Sequence, residues 1–313
     1  MNKNLTKIST VKMSHDEWLA HRQKSIGGSD ASAIIGLNPW CSPYTVWADK
    51  LGKLPPKEDN ERMRQGRDFE DYVAKRFTEK TGKKVRRENN IIINPNYPYA
   101  HANIDRMVVG EDAGLECKTT SVLNLKKFKN GEYPETYYVQ CVHYMMITGC
   151  KRWYLAVLVL GEGFYDYVIE RDEAEIEALA NVEKEFWKNV KTETAPIVDG
   201  TKSTTDTISA IFTESNDETV DLFGYDADLR EYMYISSQIK ALETRKDEVA
   251  NRVKTIMNES GKAESDLYKV SWASQDRKTF DSKRFAQEHP NMDLSKYYKT
   301  TTTRPFKVSE KKI

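Results

Sequence analysis

Residues 153–160 are the longest unbroken apolar run in the chain. A run of this length is far too short to cross a membrane, and it suits a central strand buried on both faces. Gly161, Glu162 and Gly163 then turn the chain into 164–169, which is expected to pair with it. Helical periodicity flanks the pair on both sides. A helix is expected over about 134–148. Another begins at Asp172, with Glu175 completing the cap and Ile176, Leu179, Phe186 and Val190 on one face. Strands that alternate with helices in this way predict an α/β (α+β) chain with a mixed central sheet covered by helices.

The rest of the first 195 residues fits that plan. Ser14 and Glu17 form a capping box that opens a helix carrying Trp18 and Leu19 and ending near Gly27 and Gly28. A short helix over 29–35 stops at Gly36. Ser42 and Pro43 start a third helix, with proline at its tolerated first position. A loop over 54–59 leads to a longer helix over 60–81, with Phe69, Val73 and Phe77 on its apolar side and Gly82 as its stop. Strands are expected over 85–93 and 101–109, and a turn over 110–114 leads into a third over 115–120.

Residues 1–195 are thus expected to form one domain. Residues 196–228 contain a Thr, Ser and Asp-rich stretch and read as a linker or exposed loop. Residues 229–313 read as a helical and β appendage, led by one long helix over 229–260. Apolar residues recur there in steps of three and four at Tyr232, Ile235, Ile239, Leu242, Val249, Val253 and Ile256. Lys246 interrupts the seam, which favours a helix docked on one partner over a long coiled coil.

Composition sets the class. Hydrophobic residues make up 39% and charged residues 31%, as in an ordinary soluble enzyme. The first fourteen residues have no apolar core, so no signal peptide is expected. Cys41, Cys117, Cys141 and Cys150 have spacings that suit neither a zinc site nor an iron–sulfur cluster, and a reducing, cytoplasmic location is expected. The net charge of zero gives no general pull toward nucleic acid. Basic residues cluster, however, at Lys83, Lys84, Arg86 and Arg87 and again at Lys126, Lys127 and Lys129.

The chemistry is expected between those clusters. Asp105 is followed eleven residues later by Glu116, Cys117 and Lys118. Side chains alternate along a strand, so Glu116 and Lys118 share one face while Cys117 points to the other. The intervening turn pairs the two strands and brings Asp105 beside Glu116. Two carboxylates and an ammonium then share one pocket, next to apolar Ile104, Met107, Val108 and Leu115, where charge needs a reason. Hard oxygen ligands of this kind suit Mg²⁺ or Mn²⁺ and phosphodiester hydrolysis by a pair of ions. Asp followed by Glu-x-Lys is common, and by itself it is a weak signal. Two further residues add to it. Glu70 lies four residues after Gly66, on one helix face where the glycine is expected to permit close packing. Gln140 lies between Tyr137 and Tyr144 on the next helix and could touch a phosphate or the attacking water.

Together with the run from Ile26 through Gly36 and the Arg64-x-Gly66-x-x-x-Glu70 helix, these motifs resemble the YqaJ-type viral recombinase family. That family is related to phage lambda exonuclease within the PD-(D/E)xK nuclease superfamily. The motifs occur in the family's order and cover roughly the first 195 residues. The resemblance implies a restriction-endonuclease-like fold and Mg²⁺-dependent degradation of double-stranded DNA from 5′ ends. It also implies a single-strand annealing protein as partner, a ring-shaped homotrimer, and a phage or prophage origin. Residue by residue, it implies Asp105 and Glu116 as metal ligands, joined by the backbone carbonyl of Cys117, with Glu70 as accessory acid. Lys118 matches the catalytic lysine and Gln140 the motif glutamine. Arg22 and Ser29 match positions that hold the 5′ phosphate, and Ser29 starts a short helix whose free N–H groups favour an anion. One departure is Asn124, with Lys126 and Lys127 nearby, where the phage enzyme has a further arginine. A restriction-like or repair endonuclease and a non-catalytic DNA-binding protein remain open as alternatives. The cysteine spacing disfavours a Cas4-like nuclease.

Overall fold

The computed structural model describes residues 4–56 and 59–311, which fall into two compact units, Met1–Phe212 and Thr213–Ile313. The loop expected over 54–59 lies partly outside the described residues. In chain order, the first unit opens with β1 (Thr6–Ser9), α1 (His15–Gln23), α2 (Gly28–Ile34), α3 (Pro43–Lys50) and α4 (Glu61–Thr81). It continues through β2 (Val85–Arg87), β3 (Asn90–Ile93), β4 (Ala102–Asn103), β5 (Arg106–Val108) and β6 (Ala113–Ser121). A 3₁₀ segment (Val122–Phe128) follows, then α5 (Glu135–Thr148), β7 (Arg152–Leu160), β8 (Gly163–Glu170), α6 (Glu173–Lys191) and α7 (Lys202–Ile211).

The central sheet has the order β2-β5-β6-β7-β8. It is mixed, because β6 and β7 run parallel while the other neighbours are antiparallel. A parallel pair needs a crossover, and α5 provides it. The apolar run predicted to lie at the centre does so, as β7. Its side chains alternate between two cores. Trp153, Leu155, Val157 and Val159 pack with α2, α3, α5 and α6 on one face. Tyr154, Ala156 and Leu158 pack with Val73, Ala74 and Phe77 of α4 on the other. Burying a side chain such as Phe77 fully contributes about 1.5–3 kcal/mol. The caps also follow the sequence. Ser14 and Glu17 form the capping box of α1, and Gly82 ends α4 at φ 73°, a conformation that costs glycine little.

Three expectations are corrected. The single strands expected over 85–93 and 101–109 are each broken in two. Their outer halves join β1 in a separate sheet of order β1-β3-β4, while β2 and β5 stay in the central one. Segment 196–228 is not simply a linker, because α7 lies within it and the first unit runs on to Phe212. Helix α7 has few apolar residues and docks on α3 through hydroxyls. Thr45 Oγ1 bonds Ser203 Oγ and Thr207 Oγ1, each at 2.8 Å, and Thr204 Oγ1 donates to Ser42 Oγ at 2.7 Å.

The second unit holds α8 (Asp226–Met257), an antiparallel pair of β9 (Lys262–Glu264) and β10 (Lys269–Ser271), and α9 (Ser282–Glu288). Aromatic contacts join the later chain to α8. The ammonium of Lys254 lies over the Trp272 ring, and Phe306 meets Tyr232 edge-on at 5.4 Å. All seven apolar residues of the α8 seam are exposed, from 37% at Val253 to 86% at Ile256. Among the described residues, no helix is long and apolar enough to cross a membrane.

Candidate active site

The site is built on the β5–β6 hairpin. Arg106 pairs with Leu115 and Met107 with Gly114, a register that sets Asp105 opposite Glu116. Asp105 sits at the break between β4 and β5, and its Oδ2 accepts the Cys117 N–H at 2.8 Å. Glu116 and Lys118 share the face of β6 that looks toward α5. Cys117 packs toward α4, as the alternation predicts.

Glu116 is 2% exposed. Its Oε1 accepts from Lys118 Nζ at 2.6 Å and from Gln140 Nε2 at 2.8 Å, whereas its Oε2 is buried without a hydrogen-bond partner. Gln140 also reaches the Tyr144 hydroxyl at 2.8 Å. The Lys118 ammonium lies 5.2 Å from the centroid of the Tyr137 ring, a favourable cation–π contact. The electrostatics are those of crowded carboxylates. Burial and the nearby Glu116 and Glu70 push the Asp105 carboxyl well above its usual range, against the pull of Lys118 and the Cys117 N–H. Burial would lower the Lys118 pKa, but Glu116 and Asp105 outweigh it and hold the ammonium above its ordinary value.

Glu70 lines the same cleft as Asp105, together with Thr10, Trp18 and Asn103. Its carboxylate is held by the buried guanidinium of Arg106, which also donates to Asp71 and to the Asp105 carbonyl, each at 2.6 Å. The close packing expected at Gly66 is absent, since a Cβ there would meet nothing within 4 Å. Glycine is required instead at Gly28 and Gly114. A Cβ at Gly28 would lie 2.6 Å from the Tyr144 ring and 3.2 Å from Gln140 Cγ, and one at Gly114 would lie 2.2 Å from Trp153.

Arg22 and Ser29 are brought together, with Arg22 Nη2 donating to Ser29 Oγ at 2.8 Å. The guanidinium lies 4.9 Å over the Trp18 ring and 3.6 Å from Asp30. Asp30 also pairs with the buried Lys50 at 2.6 Å. Burial would raise the Asp30 pKa, but Lys50 and Arg22 hold it down at about 2. Because Gly28 packs against Tyr144 and Gln140, this pocket adjoins the Glu116 network. Asn124 is bound to Thr120 Oγ1 at 2.9 Å. The first basic cluster is largely neutralised within the fold. Lys83 pairs with Glu111, Arg86 with Glu88 and Arg87 with Asp71.

The residues suit a hard divalent cation. A buried carboxylate oxygen has no partner, and a second carboxylate beside it is disfavoured in its charged form by burial and by the neighbouring Glu116 and Glu70. Among the described residues, no three Asp, Glu, His or Cys side chains converge closely enough to hold an ion unaided. Sequence reasoning assigned no role to Arg106 or Lys50, and it placed Gly28 and Asp30 in the run over 26–36 without their contacts, because all four act through partners distant in the chain. The Asp105–Arg106 dipeptide inside an apolar strand was the one local signal for a buried arginine.

A mixed sheet covered by helices is also the fold of an alkaline exonuclease from Laribacter hongkongensis. The two agree with a TM-score of 0.50 at 20% identity, over 57% of this chain and 94% of that enzyme. A structure of that exonuclease with dAMP gives a TM-score of 0.50 at 21% identity over the same shares. Residues 17–151 match the YqaJ-like viral recombinase domain. The uncharacterized protein YqaJ of Bacillus subtilis is 38% identical over 305 residues, 96% of this chain and 95% of that protein. The chain belongs to the YqaJ family.

Proposed function

We propose that this chain is a Mg²⁺- or Mn²⁺-dependent exonuclease that degrades linear double-stranded DNA from its 5′ ends. It leaves 3′ single strands for a single-strand annealing protein to use in phage-type recombination. One observation carries the reading: the unpartnered Glu116 Oε2, buried beside Asp105 on a carboxylate that Lys118 and Gln140 hold in place. Membership of a family described by a viral recombinase domain supports the recombination setting.

Asp105, Glu116 and the main-chain carbonyl of Cys117 would hold the metal, with Glu70 at its edge. When bound, the metal supplies Lewis acidity that lowers the pKa of the attacking water and offsets charge on the leaving 3′ oxygen. Hydrolysis joins a water oxygen to phosphorus and breaks the P–O3′ bond. The released nucleotide carries a 3′-hydroxyl, and the shortened strand carries a new 5′ phosphate. Lys118 orients the water and offsets charge on the pentavalent phosphorus. Gln140 fixes the Glu116 carboxylate through one oxygen and leaves the other free. Arg22 and Ser29 take the terminal 5′ phosphate, so each turnover regenerates the group they recognise.

Digestion of linear duplex with and without a 5′ phosphate, in Mg²⁺ or chelator, tests the reading. Mononucleotide release that needs Mg²⁺ and is faster from phosphorylated ends is expected. Cutting of covalently closed circular duplex would favour the endonuclease reading instead, and binding without cleavage would favour the non-catalytic one.

A further inference from the structure

Helix α8 carries apolar residues at the first and fourth positions of a seven-residue repeat from Tyr232 to Ile256, broken once, by Lys246. A helix laid on a globular surface follows a period of 3.6, whereas a strict 3.5 marks a surface wound against another helix. All seven apolar seam residues are exposed, although the helix is 32 residues long and spans ~48 Å. In the first unit, α4, α5 and α6 already bury their apolar faces in the two cores.

We propose that α8 pairs antiparallel with α8 of a second copy of this chain. Charge sets the direction. The amino-terminal turns hold Asp226, Asp228 and Glu231 against Arg230 alone, while the carboxy-terminal turns hold Arg252 and Lys254 without an acid. Antiparallel pairing lays acidic end beside basic end and opposes the helix dipoles. Parallel pairing would stack like ends and set Lys246 against Lys246 in the seam, since first positions meet first positions in that arrangement. In an antiparallel pair they meet fourth positions. The register that overlaps the whole helix places Tyr232 on Val249, Ile239 on Leu242 and Lys246 on Ile235 of the second copy. The same register sets Glu231 beside Arg252 at the seam's margin, twice by symmetry. Lys246 can lay its stem along the seam and extend its ammonium to water. Phe306 meets Tyr232 edge-on, while Ile235, Ile239, Leu242 and Val249 in the middle layers are exposed. None of this depends on the nuclease reading.

The full-length chain is the material for the test, with mass read by sedimentation velocity. Mixing Glu231→Cys chains with Arg252→Cys chains is expected to give the mixed 231–252 disulfide, identified by peptide mass spectrometry. Bonds joining like positions, or no bond, would overturn the antiparallel register. Glu231→Arg should weaken association roughly tenfold, since two attractive pairs become repulsive, and adding Arg252→Glu should restore it. Ile239→Asp with Leu242→Asp should halve the mass at unchanged helix content. A mass that does not respond, or a charge swap that does not rescue, sinks the proposal. The charge-swap pair decides alone if the double aspartate variant misfolds.

Discussion

At the scale of single residues, the proposed function separates a cation that acts, Lys118, from carboxylates that hold. Lys118→Ala is expected to lower the rate of hydrolysis by about a thousandfold or more, ~4 kcal/mol of barrier. DNA binding should be nearly unchanged, which a paired gel-shift and digestion assay would show. Asp105 gives a sharper signature. Burial and the nearby Glu116 and Glu70 push its carboxyl up, and protons compete with a dication for such a carboxylate. Calorimetric Mg²⁺ titrations in buffers of different ionisation enthalpy should show proton release and weaker binding as pH falls. Asp105→Ala should lose both the release and most of the affinity. Gly28→Ala tests the support behind Glu116. Its methyl group would displace Tyr144 and Gln140, and a fall in kcat of about tenfold or more, measured well below Tm, is expected beside a loss of about 1–3 kcal/mol of stability from overpacking. The trio was legible because strand alternation and a short turn are local rules. The Arg106 clamp on Glu70 was not, because it joins residues 36 apart in the chain.

At the scale of elements, α5 and α6 are joined by a buried pair whose charge sets how stability varies with pH. His143 Nδ1 lies 2.7 Å from Glu183 Oε1, and its Nε2 lies 2.9 Å from the His101 carbonyl. Burial would lower the His143 pKa, but Glu183 outweighs it and raises it above 6.5. A raised folded-state value contributes stability that is complete below about pH 6.5 and is lost as pH rises through that value. His101 has the opposite sign. Burial and Lys50 hold it down at about 3, so its contribution is complete above pH 6.5 and is lost as pH falls toward 3. Tm should therefore peak near the ordinary imidazole value. Glu183→Gln should lower Tm by about 5 °C at pH 6 and flatten the alkaline limb, readable by calorimetry between pH 5 and 9. A gap between the two proteins that widened with rising pH would contradict this. Periodicity revealed most helices and the β7–β8 pair, because their patterns extend over many residues. The breaks in 85–93 and 101–109 were hidden, because the residues on either side alternate alike and only the three-dimensional arrangement assigns them to different sheets.

For the whole molecule, the first compact unit ends at Phe212, and the exonuclease of similar fold is covered almost fully by 57% of this chain. A chain truncated after residue 212 is expected to fold cooperatively and retain cleavage of linear duplex within about threefold, measured by calorimetry and digestion. Loss of folding would show that the first unit depends on the second. The boundary was misplaced from sequence because α7 is held by threonine and serine hydroxyls, a composition that otherwise signals exposed loop. The α8 seam was legible as a pattern, but a pattern on one chain does not name what lies against it.

The four residues 109–112 that join β5 to β6 act as a ruler. Deleting or adding one of them would slide the pairing by a single step, presenting a thiol where a carboxylate belongs and turning that carboxylate into the packing beneath α4. Changes of length at this bend should therefore be tolerated far less than changes of side chain.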